Sequence, residues 1–405
     1  MVRRLLVTLT LLTIFTAANC QLLNDKKVSE LIRDWAPLVW LAPGERFLPL
    51  GVPEFLENMQ ADESYLRTRV DLELLLHNKS SFLYGKEPAD SVPVYAFVRN
   101  CVDSLETLKL TKLKRIVRGI VERRDSSKIA ASGHQLDAAT LSMIQTNAVS
   151  MKELNLALNF QSKRTDDFEE ERKRRKKEKE ERKNRFRKLH FHVTYWMFYP
   201  FSEGKAVCVL NLGFLGSWPI PTLGGRCLGK LREYGNHVGD WEHVSLYFDG
   251  KDYPLAMYVS AHDAGAYYIY DARRGHFAYA SQETRKGIFQ KPIFPERVFT
   301  DAGSHPVLFS ARGSHGLWTA PGKHRFVRLP RLYDESGFGA PWPTWRKLEF
   351  LSGKDKESLP AWMTFRGKWG NPKSNCHPLA HLGFDICEFV DGPTGIPMKK
   401  SNFKC

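Results

Sequence analysis

From Leu189 to Tyr199 the chain is aromatic and β-branched without a break, and holds no glycine, proline, carboxylate, lysine or arginine. A strand with one wet face would alternate in polarity, so this run predicts a strand buried on both faces. Trp241–Phe248, Leu255–Ser260, Ala266–Tyr270 and Pro306–Ala311 follow as further strand-like runs, separated by Gly, Pro and Asp clusters. Many short strands with turn signals argue for a sandwich or barrel rather than βαβ units. The expectation is a mainly β fold: an antiparallel β-sandwich with peripheral helices. Upstream, Val28–Trp35 reads as a short helix stopped by Pro37, and Leu38–Leu41 as a strand punctuated by Pro43-Gly44. Val52-Pro53-Glu54-Phe55-Leu56 opens another short helix, and Leu105–Phe160 has a helical pattern. No internal repeat and no phosphate-binding glycine loop is present.

One segment cannot contribute to a core. Residues Lys163 to Lys188 hold 14 basic and 8 acidic residues, and Phe168 is the only large apolar one before Phe186. Pairs such as Glu171–Arg175 and Glu178–Arg182 stand four apart in the order that stabilises a helix. A solvated helix or linker is the plain reading. Binding to an anionic surface is a second. A third is cleavage after Arg175, because Arg172-Lys173-Arg174-Arg175 resembles a secretory convertase site.

The compartment is set by the first residues. Arg3 and Arg4 precede an apolar run from Leu5 to Ala18 that is too short to span a bilayer comfortably and ends in small residues. Residues 1–20 are therefore expected to be a signal peptide, cleaved after Cys20. Six cysteines remain, an even number that suits three disulfides: Cys101, Cys208, Cys227, Cys376, Cys387 and Cys405. Short loops favour Cys208–Cys227 and Cys376–Cys387, which leaves Cys101 with Cys405. Asn78-Lys79-Ser80 is a glycosylation sequon. The expected location is secreted or the secretory and endolysosomal lumen. The chain carries 60 basic and 45 acidic residues, a net charge of +15. That surplus favours an anionic lipid or a sulfated glycan surface as partner. Nucleic acid is not expected in that compartment, and no later segment is long and apolar enough to be transmembrane.

The stretch with chemistry is Gly235-Asn236-His237-Val238-Gly239-Asp240-Trp241-Glu242-His243. Asp240 and Glu242 have the same parity as Val244, Leu246 and Phe248 on one strand. Two like charges at the head of an apolar row are costly unless neutralised. A divalent cation does that, with His237 as a third ligand, and oxygen donors plus one imidazole suit magnesium, calcium or manganese. The structural alternative has the carboxylates capping strand-end amides or pairing with Arg273 or Arg274. Histidines also sit beside small residues at strand ends, in Ser260-Ala261-His262, Gly303-Ser304-His305 and Gly313-Ser314-His315. No Gly-x-Ser-x-Gly elbow is present.

These residues resemble the vacuolar protein sorting-associated protein 62 family. Trp35-Ala36-Pro37-Leu38-Val39-Trp40-Leu41-Ala42-Pro43-Gly44-Glu45 resembles its opening, Tyr195-Trp196-Met197-Phe198-Tyr199-Pro200-Phe201 its aromatic strand, and His237-Val238-Gly239-Asp240-Trp241-Glu242-His243 its most specific motif. Ala311-Arg312-Gly313-Ser314-His315-Gly316, Asp334-Glu335-Ser336-Gly337 and Trp369-Gly370 continue it. The resemblance covers residues 30–60 and 189–400. It divides the chain into 21–101, the N-terminal part of the β domain, 102–188, a helical and highly charged insertion, and 189–405, the main β-sandwich portion. The family name implies vacuolar trafficking.

The aromatic strand and the His-x-Gly-Asp-Trp-Glu-His motif are also similar to the necrosis-inducing protein family of secreted cytolysins. Those are β-sandwiches with a cation held by His, Asp and Glu, and they bind membrane sphingolipids. That similarity implies His237, Asp240 and Glu242 as ligands. The second motif histidine of that family is Gly239 here, and its additional acid would be Glu203, since Ser202 is a poor ligand. The combined expectation is a secreted cation-binding β-sandwich that binds a membrane or glycan surface without catalysis. The alternatives are a metal-dependent hydrolase with His262 or His315 as general base, and a structural or trafficking protein.

Overall fold

A computed structural model of the protein describes residues 26–405, apart from 63, 89, 102–169, 183–188, 225, 285–291, 328–331, 353–358, 380–385, 400–401 and 404–405. The proposed signal peptide and the helical pattern over Leu105–Phe160 lie outside the described residues. The chain forms two compact units, one of residues 1–101 with 189–405 and one of residues 102–188.

In the second unit, residues 170–182 form a helix, almost entirely exposed. Glu171 pairs with Arg175 at 2.8 Å and with Arg174 at 2.7 Å. The Arg172–Arg175 run lies on this exposed helix.

The first described element of the first unit is the helix Lys26–Asp34, which buries Val28, Leu31 and Ile32 at helical spacing. It stops short of Pro37, which disfavours helix in the residue before it. Its strands, in chain order, open with β1 (Leu38–Leu41), β2 (Met59–Ala61), β3 (Leu66–Thr68) and β4 (Val94–Asn100). After the insertion come β5 (His190–Ser202), β6 (Lys205–Asn211), β7 (Ser217–Pro219), β8 (Lys230–Tyr234) and β9 (His237–Asp249). Then follow β10 (Ala256–Ala261), β11 (Ala264–Asp271), β12 (His276–Thr284), β13 (Arg297–Asp301), β14 (His305–Ser310) and β15 (Leu317–Trp318). The last are β16 (Gly322–Val327), β17 (Leu332–Ser336), β18 (Pro341–Pro343), β19 (Leu348–Ser352), β20 (Ser374–Cys376) and β21 (Cys387–Phe389).

Twelve of these strands make one sheet, with path β18-β1-β14-β13-β12-β11-β10-β9-β5-β4-β19 and β15 paired to β14. The two edges of that path, β18 and β19, are joined in sequence by the single turn Thr344–Lys347. Four residues reach at most ~15 Å, whereas a flat path of this many strands at ~4.8 Å spacing would be nearly 50 Å wide. The sheet therefore curls round until its edges almost meet. Its concave face is one apolar cluster to which the strands all round the curl contribute, including Val39, Ala96, Tyr195, Leu246, Met257, Tyr268 and Trp342, with the helix Lys26–Asp34 packed into it.

The expectation of a β-rich fold with few helices holds. The sandwich is realised only in part: opposite walls of one curled sheet face each other across the core, in place of two separate sheets. Nor is the sheet wholly antiparallel, because β1 pairs with β14 and β4 with β19 in parallel. Both parallel partners enter from distant stretches of sequence, which frees them from hairpin geometry.

All thirteen residues of β5 are buried. One face of β5 looks into the curl, and the other carries Trp196 and Phe198 into a second cluster outside it. That outer layer includes Phe55, on the short helix that opens at Val52, together with Trp241 and Trp369. The two central strands β5 and β9, each thirteen residues long, run antiparallel in one unbroken register from His190↔Asp249 to Ser202↔His237.

Two disulfides link described residues, Cys208–Cys227 and Cys376–Cys387. Cys101 is disulfide-bonded as well, and its expected partner Cys405 lies outside the described residues. Asn78 is exposed just beyond the helix Leu72–His77.

Candidate functional site

The N-terminal end of β9 and the C-terminal end of β5 meet at the rim of the curl. Along β9, Asp240 and Glu242 alternate with Trp241, which packs in the outer cluster, and precede Val244, Leu246 and Phe248 of the inner one. Both carboxylates are buried. The strand can take this course because residue 239 is glycine: its φ is +71°, and a Cβ there would lie 2.2 Å from the carbonyl oxygen of Trp369. The absence of a side chain at that position in this motif is thus required by the packing of 369–370 behind it.

Around these carboxylates lies a recess of about 470 Å³, lined by Ser202, His237, Asp240, Glu242, Ser260, His262, Asp263, Ser314, Asp391 and Lys399, among others. Its size is typical of small-ligand sites. A larger cleft of about 590 Å³, beside Phe299, Phe309 and Phe338, is lined by one carboxylate, Glu296, and by no histidine. The titratable chemistry gathers in the first.

Asp240 faces His315. His315 Nδ1 is 3.1 Å from Asp240 Oδ2, and His315 Nε2 is 3.0 Å from the carbonyl oxygen of Phe47. The carbonyl can only accept, so Nε2 carries the hydrogen of that bond, and Nδ1 faces the Asp240 carboxylate. The ring also stacks on Tyr199 at 3.8 Å. Burial by itself would raise the Asp240 carboxyl, but the hydrogen bond from His315 and the nearby charge of Lys399 hold it below the usual range.

Glu242 has no such partner. Its Oε2 accepts from Ser260 Oγ at 2.8 Å. Burial, and then the charge of Asp240, push its carboxyl well above the ordinary value. His237 donates from Nδ1 to the carbonyl of Gly239 at 2.8 Å, which leaves Nε2 as the acceptor of the ring. Burial keeps this imidazole below its ordinary pKa and hence neutral. A neutral imidazole with a fixed tautomer beside two carboxylates has the donor chemistry of a hard-cation ligand set. Among the described residues, however, no three His, Cys, Asp or Glu side chains are drawn together as a ready metal site.

A second buried carboxylate network adjoins this one. Asp334 is 0% exposed. Its Oδ1 accepts from Ser314 Oγ at 2.7 Å and from Lys205 Nζ at 2.9 Å. Its Oδ2 accepts from His262 Nε2 at 2.6 Å and from Trp318 Nε1 at 3.0 Å. Burial opposes the charge, but His262 and Lys205 hold the carboxyl far below the usual range. Ser314 and His315, adjacent on the turn between β14 and β15, belong to the two networks respectively and join them.

That turn is tied down by Glu45. Glu45 Oε1 accepts from the backbone of Arg46 and Phe47, and its Oε2 from Gly313 N at 2.7 Å. The backbone is strained where it presents imidazoles: His262 and His315 both have positive φ, +54° and +57°. Non-glycine residues in that region cost free energy and concentrate at functional sites.

Of the residues singled out from sequence, His237, Asp240, Glu242, His262 and His315 are thus brought to one recess or its wall. Glu203 is not. It pairs with Arg46, its N–H bonds the Gly313 carbonyl at 2.8 Å, and it does not line the recess. His305 stacks on Trp345 and bonds the carbonyl of Ala36, on another part of the sheet. Arg273 and Arg274 sit in the β11–β12 turn around Asp271, so the carboxylates' neighbours are the His315 imidazole and Lys399 in their place. Lys205 and Lys399 carried no sequence signal, and Ser260 stood out only as a small residue beside His262. Glu45 and Asp334 did lie in the family-like stretches, without an assigned role.

No family model matches the chain, and no solved structure matches it significantly. Two curated proteins of Saccharomyces cerevisiae do. The chain is 28% identical over 230 residues to the vacuolar protein sorting-associated protein TDA6, covering 51% of this chain and 41% of that protein. It is 25% identical over 225 residues to vacuolar protein sorting-associated protein 62, covering 50% of this chain and 39% of that protein. The chain thus spans about two-fifths of the length of these relatives. These two matches make the chain a relative of the vacuolar protein sorting-associated protein 62 family.

Proposed function

We propose that the chain is a lumenal protein of the secretory or endolysosomal system that binds a divalent cation (magnesium, calcium or manganese) in this recess and, with it, an anionic lipid or glycan surface, without catalysis. The observation that carries the reading is Glu242: a buried carboxyl, beside the buried charge of Asp240, whose only described hydrogen-bond donor is one serine hydroxyl. Such a group either stays protonated or recruits a cation. His237 Nε2, Asp240 and Glu242 would hold the ion, and the ion would supply a positive centre for phosphate, sulfate or carboxylate groups. The disulfides support an oxidising compartment, and the relatives' names speak of vacuolar sorting.

The test is thermal unfolding of purified protein in chelator and then in each of the three ions. An ion at about a hundred times its Kd adds about 2.7 kcal/mol, or about 4 °C for a domain of this size. Asp240→Asn and Glu242→Gln should abolish the shift. No shift with any ion in the wild type overturns the cation reading.

One observation favours a hydrolase as second reading: His262 lines the recess with its Nε2 oriented by buried Asp334, the arrangement of a base and its orienting acid. His315 does not fit that role, since it is fully buried with both nitrogens engaged. Ester turnover lost in His262→Ala, with cation binding kept, would establish this reading over the first.

A further inference from the structure

The strands that form the recess, β5 and β9, are connected by an excursion that leaves the sheet. Residues 205–234 fold as a small sheet of their own, in the order β7-β6-β8, closed by the Cys208–Cys227 disulfide. This arm departs from β5 just after Ser202 and rejoins β9 at His237, both of which line the recess. Its base is fastened: Asn236 Oδ1 accepts from Gly204 N, and Asn236 Nδ2 donates to the carbonyl of Glu388. Its flank is braced by the β20–β21 hairpin with its own disulfide, where Trp218 packs on His377 at 5.1 Å.

What the arm presents is apolar. Of sixteen large hydrophobic residues exposed among the described ones, seven lie between Leu210 and Leu231. Phe214, in the turn Gly213–Leu215, is 90% exposed. Leu212 and Leu215 flank it in sequence, and Leu223, Leu228 and Leu231 of the same arm are exposed too. Singly exposed apolar residues are ordinary, but a cluster on a stapled scaffold marks an interaction surface. The charge leans one way as well: the 205–234 arm holds Lys205, Arg226, Lys230 and Arg232 against a single acid, Glu233. Apolar side chains with mainly cationic neighbours match one occupant above others, the interface of an anionic bilayer. There leucine and phenylalanine enter the acyl boundary while lysine and arginine meet phosphate. A protein partner of ordinary composition would supply no such excess of negative charge.

We infer that the 205–234 arm is a membrane-docking element that seats Phe214 and its leucine neighbours in an anionic phospholipid bilayer and so sets the recess over the headgroups. This deepens the surface-binding reading above and rests on it for the role of the recess. The arm needs no ordering on contact, because its disulfide and the β20–β21 brace already hold the apolar groups outward, and preorganisation of that kind spares affinity.

The experiment is co-sedimentation of the full chain with phosphatidylcholine vesicles, with and without about one-third phosphatidylserine, in chelator and in calcium. The expected result is binding to the anionic vesicles, at least tenfold weaker for the Phe214→Glu/Leu228→Glu double variant and several-fold weaker for Lys230→Glu/Arg232→Glu. It should weaken also when ionic strength rises from about 0.1 to about 1 M. Circular dichroism and the intact disulfide confirm that the variants fold, and Phe214→Ser is the milder substitute if one does not. Binding that persists in chelator and in Glu242→Gln but is lost in Phe214→Glu/Leu228→Glu supports the arm even if the cation reading fails. Binding lost in chelator and in Glu242→Gln but untouched by the arm variants overturns the arm while keeping the recess. No binding by the wild type overturns it, as does a self-associated chain that Phe214→Glu/Leu228→Glu converts to monomer without any vesicle binding.

Discussion

Asp334 and Glu335 are neighbours in sequence and opposites in structure, which makes them a sharp pair for a stability experiment. Asp334 is completely buried and accepts four hydrogen bonds, one of them from the ammonium group of Lys205 and one from the His262 imidazole. Asp334→Asn keeps the shape, removes the charge and turns one acceptor oxygen into a donor amide. Two of the four donors then face a donor. Breaking a buried ion pair by removing one partner costs ~3–5 kcal/mol. The side chains of Lys205 and His262 are 21% and 22% exposed and can recover some hydration. The lower end, about 3 kcal/mol, is therefore the expectation, or about 4–5 °C in melting temperature for a domain of this size. Glu335 pairs with Lys323 and Arg312 at the surface, its side chain 43% exposed. Glu335→Gln should cost less than ~1 kcal/mol. Urea unfolding of both variants reads the difference directly. The sign with pH is also fixed: the depressed Asp334 carboxyl contributes its stability fully above about pH 4 and loses it as pH falls towards its folded value, so the gap from wild type should narrow in acid. An Asp334→Asn protein within ~1 kcal/mol of wild type at neutral pH, or a Glu335→Gln protein equally damaged, would refute the reasoning.

Three further outcomes follow from the same geometry. Glu242 is raised by burial, so in chelator the native state holds its proton longer than the unfolded chain, and stability should fall as pH rises beyond about 4.5; a wild-type pH–stability curve no steeper than that of Glu242→Gln contradicts this. Gly239→Ala places a Cβ 2.2 Å from the Trp369 carbonyl at a φ of +71° and should destabilise by at least about 2 kcal/mol, whereas Gly235→Ala, equally left-handed but open, should cost only the backbone term of about 1 kcal/mol; similar melting temperatures for the two would show that the close approach does not matter. Intact mass of the mature secreted chain should rise by about six mass units on reduction, for three disulfides, and a rise of only about four would leave Cys101 and Cys405 unpaired.

The sequence alone was enough for the parts of this protein governed by local pattern. The two-faced burial of β5 follows from a run with no polar alternation, and the ends of the first helix and strand follow from Pro37 and Pro43-Gly44. That Asp240 and Glu242 head the row of Val244, Leu246 and Phe248 follows from strand parity. The short-range disulfides follow from spacing. What the tertiary structure decided were the relations between distant segments. The parallel pairing of β1 with β14 and β4 with β19, and the closing of the sheet edges through Thr344–Lys347, depend on which remote strand offers a free edge, and no periodicity encodes that. The convergence of His262, His315 and Asp334 on the carboxylates of β9, and the diversion of Glu203 to Arg46, were settled by loop packing at the rim of the curl. The leucines of the 205–234 arm carry no pattern in the sequence that sets them apart from core residues. They are a surface because a disulfide and a neighbouring hairpin hold that segment off the sheet, so the hydrophobic effect that buries such residues elsewhere has nothing in the described fold to bury them against.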